Sequence, residues 1–304
     1  MMSNEVSSKV IASLGIVGCG WLGSALAYQL KAQGVAILAT RSNIENTEQL
    51  KSQGVDTEVL CLPADQALLN SHPIFKQQCL VIAITPQFRQ GRVDYADKVK
   101  QLVKSAKASN CVEQIILLSS SAIYNGLSGQ VDEDIKLDLS ADKVSVLNDA
   151  EQAVLSFNDT IFNKNSVNES DDSITNRKAY ILRLSGLVGP NRHPGKFLLN
   201  GRMLKSPLAI VNLIHQQDAI GLIQTLLESD TNSGIFNGVS STQVSKKQYY
   251  QAAASTLELP IPIFEESNLA VDSASKIVSG QKTRNELNYS FVYDDLLNWL
   301  EQGE

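Results

Sequence analysis

The residues best placed to do chemistry stand near the start of the chain. There Ile16-Val17-Gly18-Cys19-Gly20-Trp21-Leu22-Gly23 spaces three glycines as G-x-G-x-x-G between an apolar run and a helix-forming one. In that order Gly18 permits a tight turn, Gly20 lets the backbone approach a pyrophosphate, and Gly23 lets a helix pack closely on a sheet. Amide groups at the helix start would then face phosphate oxygens. The whole stretch Gly18, Cys19, Gly20, Trp21, Leu22 and Gly23 is therefore expected to hold a dinucleotide, an ordinary structural turn being the plainer alternative. Next, residues 35–39 read as a second buried strand that ends at Thr40-Arg41-Ser42 without an Asp or Glu. An acid at that place binds the ribose hydroxyls of NAD, whereas an Arg accommodates the extra phosphate of NADP. Arg41 thus favours NADP, with NAD as the alternative. Thr85 follows the apolar run 79–84 and is expected beside the cofactor, unless it serves only as a turn hydroxyl before Pro86.

Positioning such residues requires alternating strands and helices. An apolar unit at 59–62 precedes a polar helical candidate, the spacing of Val99, Leu102, Val103 and Ala106 predicts a helix over 94–108, and 114–118 is another apolar strand. That strand runs into the hydroxyl-rich loop Ser119-Ser120-Ser121-Ala122-Ile123-Tyr124-Asn125-Gly126, in which Ser119 is assigned to the cofactor. Residues 178–182 resume the sheet, 218–227 and 245–257 read as helices, and 234–239 as a late strand. The pattern predicts an α/β fold, a Rossmann-like doubly wound, mostly parallel sheet, and the length leaves room for a small C-terminal lobe. Residues 1–190 would form the dinucleotide-binding part, interrupted by a polar insertion at 158–177. Residues 191–304 would mainly supply that lobe.

Four ordered pieces resemble the extended short-chain dehydrogenase/reductase superfamily, in its atypical NAD-dependent epimerase/dehydratase-like branch. They are the glycine turn, the serine loop, Leu182-Arg183-Leu184-Ser185-Gly186-Leu187-Val188-Gly189-Pro190, and Val211-Asn212-Leu213-Ile214-His215-Gln216-Gln217-Asp218-Ala219. The resemblance implies that the C-terminal lobe is a substrate lobe, with 211–240 returning to the nucleotide domain, and that Ser121 holds a substrate alcohol or carbonyl while the nicotinamide exchanges hydride with carbon. It also implies a downstream Tyr-x-x-x-Lys pair for proton transfer, and here the sequence departs from the pattern. Lys143 falls at the Tyr position and Leu147 at the Lys position. Ser121 and Tyr124 become the catalytic candidates, Tyr124 as a neutral donor because an unperturbed phenol titrates near 10. Substrate binding or simple turn stabilisation competes with that role. Arg183 is open between a structural ion pair and an anion contact, Arg192 is a candidate anion contact, and His215 reads as a hydrogen-bonded support residue.

Composition bounds the partners. With 304 residues, 43% of them hydrophobic, the chain can bury a large core, and a net charge of -6 supplies no general attraction to nucleic acid. No apolar run is long enough for a membrane helix and no secretory pattern opens the chain, so a cytoplasmic protein acting on a small-molecule substrate is expected. The fold allows a homodimer through its helices. Cys19, Cys61, Cys79 and Cys111 are dispersed beside apolar runs and read as free buried thiols, and with His72, His193 and His215 they offer no metal-ligand spacing.

Overall fold

A computed structural model describes residues 11–158, 177–198, 203–266 and 275–302. All of the polar insertion but its two end residues lies outside them. The chain begins with β1 (Ser13–Val17), α1 (Trp21–Ala32), β2 (Ala36–Arg41), α2 (Ile44–Ser52) and β3 (Asp56–Val59). It continues with α3 (Gln66–Ser71), β4 (Cys79–Ile82), α4 (Tyr95–Ala108), β5 (Gln114–Ser120), β6 (Gly129–Val131) and α5 (Asp142–Leu155). Then come β7 (Lys178–Leu184), β8 (Gly186–Val188), β9 (Leu213–His215), α6 (Gln216–Glu228), β10 (Gly234–Gly238), α7 (Lys246–Ser255) and β11 (Lys276–Val278).

Seven strands form one sheet in the order β10-β7-β5-β4-β1-β2-β3. β1 pairs in parallel with both β2 and β4, Leu14 standing opposite Ile37 on one side and Cys79 on the other. Successive strands therefore run outward from β1 in one direction and then, beginning with β4, in the other. This is the doubly wound, Rossmann-like arrangement expected from the sequence, with helices flanking the sheet and further elements toward the C-terminus. Strands covered on both faces read as continuous apolar runs. All four residues of β4 are buried, as are Leu14, Ile16 and Val17 of β1. No helix among the described residues is long and apolar enough to cross a membrane.

Two sequence expectations need correction. The third strand lies at Asp56–Val59, not at 59–62, and only Thr57 of its four residues is buried. As the outermost strand its residues face solvent, so the apolar criterion selected the wrong segment. Cys61 and Cys111 are exposed, while Cys19 and Cys79 are buried, and all four are free thiols. Cys111 falls in the connection between α4 and β5, next to an apolar run but outside it.

The chain divides into two compact units. The first comprises Met1–Leu118, Val146–Ile181 and Ile223–Gly234, the second Ser119–Ser145, Leu182–Leu222 and Ile235–Glu304. In the second unit Val188, Val211, Leu213, Tyr249, Leu296 and Trp299 share one apolar cluster. Asp218, fully buried, fastens the C-terminal segment to α6 by accepting the amides of Val292 (2.7 Å) and Tyr293 (2.9 Å) and the hydroxyl of Tyr289 (3.1 Å). His215 stacks on Tyr293 at 3.9 Å between ring centres and meets Trp299 edge-on at 5.0 Å.

Burial lowers the His215 pKa to about 4, from an ordinary value of 6.5. Between those values the unfolded chain binds the proton that the folded chain refuses. Stability from this group is therefore complete above about 6.5, falls as pH drops through that window, and reaches its full loss, about 3 kcal/mol, below about 4. Thermal unfolding of His215→Phe between neutral pH and pH 4 should show a shallower loss than the parent chain. An equal slope in both would assign the acid sensitivity to other groups.

Candidate dinucleotide and substrate sites

The first unit builds its site where the sheet reverses direction, outside the C-terminal ends of β1 and β4. Open α/β sheets bind ligands at that crevice. Gly18 turns the chain with φ +84°, and a Cβ there would stand 2.8–3.0 Å from Ile84 side-chain and backbone atoms. Thr40 secures the turn from β2: its Oγ1 accepts the Gly18 amide at 3.2 Å and its carbonyl accepts the Cys19 amide at 2.9 Å. Gly20 caps α1 without a side chain. A Cβ on Gly20 would meet nothing nearer than the Gly18 oxygen at 3.9 Å, so the room beside it is open. At Gly23 a Cβ would press on Ile16 at 3.2 Å, which accounts for close packing of α1 on β1.

A cavity of about 330 Å³ opens from this turn, and its wall includes Gly18, Gly20, Arg41, Thr85, Arg92 and Lys98. Sequence reasoning brought the first four together. Cys19, Leu22 and Gly23 are buried, and burial raises the Cys19 thiol pKa against the lowering effects of the Ser24 hydrogen bond and the Arg41 charge. Trp21 begins α1. The Nε of Arg41 is buried without a hydrogen-bond partner, an expensive condition unless a ligand acceptor completes it. An open cradle at Gly20, an uncapped first helical turn and an orphaned guanidinium nitrogen fit a dinucleotide.

Sequence reading missed Arg92, Lys98 and the role of Thr40. Arg92 Nε donates to Asp94 at 3.1 Å, and Lys98 Nζ lies 3.0 Å from the same carboxylate. Arg92 holds Asp94 well below the usual carboxylate range, with Lys98 helping. A charged helix start ordinarily reads as a solvated surface, so nothing in the spacing marked these cations.

In the second unit the serine loop leaves β5 as a single 3-10 turn, Ser121–Tyr124, capped by Ser120 Oγ on the Ala122 amide. Ser119 and Ser121 are both buried. Tyr124 is fully enclosed, and its hydroxyl donates to Asn237 Oδ1 at 2.9 Å while accepting from Arg183 Nη1 at 2.8 Å. Burial raises the Tyr124 pKa, partly offset by the Arg183 charge. Glu133 accepts the Asn237 amide at 2.7 Å, and burial pushes its carboxyl up as well. The phenol is thus neutral and committed to a polar network. Lys276, half-buried, donates to the Ser121 carbonyl (2.6 Å) and to Asn125 Oδ1 (2.8 Å), and burial, with Lys246 nearby, lowers its pKa to about 8.

Other predicted residues take supporting places. Lys143 is exposed on α5, whereas Leu147 is buried in the core. Arg192 donates to the Leu187 carbonyl at 3.0 Å. Asn212 bridges to β11 through the Lys276 carbonyl and the Val278 amide.

No protein-family model matches the chain. Protein YeeZ of Escherichia coli K12 is 30% identical over 289 residues, an alignment covering 93% of this chain and 97% of YeeZ. Among solved structures, the UDP-glucuronic acid 4-epimerase of Bacillus cereus in complex with NAD superposes with a TM-score of 0.71 at 17% identity, over 95% of this chain and 96% of that one. The UDP-glucose 4-epimerase of Thermotoga maritima with UDP-glucose gives 0.73 at 13% identity, with the same coverages. At such identities the likeness is one of fold.

Two glycine substitutions should separate folding from binding. Gly18→Ala imposes strain at positive φ and a clash with Ile84, and should cost about 1–3 kcal/mol in thermal or denaturant unfolding. Gly20→Ala fits the backbone but fills the approach to phosphate, and should leave the unfolding midpoint unchanged while weakening dinucleotide binding, NADH or NADPH, about tenfold or more in fluorescence titration. Full-strength binding by Gly20→Ala would contradict the cradle.

Proposed function

The chain belongs to the family of protein YeeZ and has the fold of the extended short-chain dehydrogenase/reductases, and from that premise we propose that it binds a nicotinamide dinucleotide and performs chemistry of the epimerase/dehydratase type. The observation that carries this reading is the glycine turn, whose open side at Gly20 shares a cavity with the orphaned Arg41 nitrogen. Gly18 and Thr40 fix the turn, Gly20 admits the pyrophosphate, and Thr85, on the same cavity wall, completes the cofactor contacts. Arg41 turns the preference toward NADP, although the Bacillus cereus neighbour binds NAD. A bound nicotinamide supplies a hydride acceptor or donor.

Substrate binding falls to the serine loop. Ser121 contacts the reacting oxygen, Lys276 holds the Ser121 carbonyl in place, and Tyr124 keeps the loop seated through Arg183 and Asn237. The structural neighbours' UDP-sugars make a nucleotide-sugar alcohol or ketone the first substrate class to test, ahead of smaller carbonyl and alcohol compounds. A second reading, dinucleotide binding without turnover, is favoured by α5, where an exposed lysine and a buried leucine replace the proton-transferring pair.

Purified protein with NADP(H) or NAD(H) and a panel of nucleotide sugars, simple ketones and alcohols should convert at least one substrate, read by cofactor absorbance and product mass. Ser121→Ala should lower kcat about a hundredfold with dinucleotide affinity within about twofold of the parent. Tight dinucleotide binding with no product anywhere in the panel would favour the second reading.

A further inference from the structure

The cation content of the dinucleotide cavity goes beyond Arg41. Arg41, Arg92 and Lys98 line its wall, and among its described lining residues none is acidic. Arg92 and Lys98 arrive on the segment between β4 and the first turn of α4, so they converge on the cavity from a different strand than Arg41 does. Asp94 fastens both, and accepts Arg92 through two guanidinium nitrogens. That pairing orders the cations without exhausting them: Arg92 keeps a further nitrogen, and Lys98 keeps ammonium protons beyond the one directed at Asp94. The Lys98 side chain is only 12% exposed, so its charge is poorly screened. Three cations against one carboxylate leave the neighbourhood positive by about two charges. The buried Arg41 Nε independently lacks an acceptor.

Resting on the dinucleotide reading, we propose that Arg92 and Lys98, ordered by Asp94, act with Arg41 as specificity-determining residues that clamp the 2′-phosphate of NADP(H). A 2′-phosphate carries nearly two negative charges at neutral pH, on the analogy of other phosphate monoesters, and offers three acceptor oxygens. The unphosphorylated ribose of NAD(H) offers only a neutral hydroxyl there, and among the described lining residues no carboxylate receives it. The competing assignment is the pyrophosphate, which NADP(H) and NAD(H) share. Binding measurements distinguish the two without any turnover.

Calorimetric titration of the full chain with NADPH, NADH, 2′,5′-ADP and 5′-AMP tests the clamp in the parent protein and in Arg92→Gln and Lys98→Gln, each checked for an unchanged unfolding midpoint. The parent should prefer NADPH over NADH and 2′,5′-ADP over 5′-AMP by about tenfold or more. Each substitution should weaken NADPH and 2′,5′-ADP about three- to tenfold while leaving NADH within about twofold. Equal losses for NADPH and NADH would place these cations on the pyrophosphate and overturn the clamp. Parent binding of NADH as tight as NADPH would overturn the clamp and leave the dinucleotide reading standing, whereas no binding of either would overturn both.

Discussion

The first unit depends on one constraint, the approach of the chain at Gly18 to within a methyl group's width of Ile84. Three strand ends meet there. β1 delivers the turn, Thr40 of β2 accepts two of its amides, and Ala83, just past β4, donates to the Val17 carbonyl at 2.8 Å. A side chain at Gly18 would push these ends apart, so the residue that shapes the turn also sets the width of the crevice. Everything that recommends the cavity as a dinucleotide site follows from that spacing: the open flank at Gly20, the start of α1, and Arg41 at the end of β2.

The second unit is organised differently, around buried polar groups that complete one another. Tyr124, Arg183, Asn237 and Glu133 form a network in which each charge or dipole has a named partner, and Thr283 adds a 2.7 Å bond to the Asn237 carbonyl. Buried polar groups satisfied in this way hold a local conformation, here that of the serine loop. Burial favours the neutral phenol of Tyr124, which makes it a seat for the loop more readily than a base. Lys276 meets the loop from β11 and carries a weakened hold on its proton next to Ser121.

Much of this was legible in the sequence where one local rule sufficed. β1, β4 and β5 lie inside the sheet, and their apolar runs announced them; the glycine spacing announced the turn between β1 and α1. β3 escaped because an edge strand needs only one buried residue, Thr57. The network around Tyr124 was hidden for another reason: its partners lie 59 and 113 positions away, a separation no local pattern records. Arg92 and Lys98 looked like an ordinary charged helix start, and only the fold brings them to the wall that holds Arg41. The replaced pair at Lys143 and Leu147 was visible at once, because it departs from a fixed local spacing.

The central claim is that the Gly18–Gly23 turn is the seat of a dinucleotide. Hydrogen–deuterium exchange of the full chain, alone and with saturating NADH or NADPH, tests it most directly. The account predicts slowed exchange confined chiefly to peptides spanning the start of α1, the end of β2 and the segment after β4. Unchanged exchange in those peptides, with protection appearing elsewhere in the chain, would contradict it.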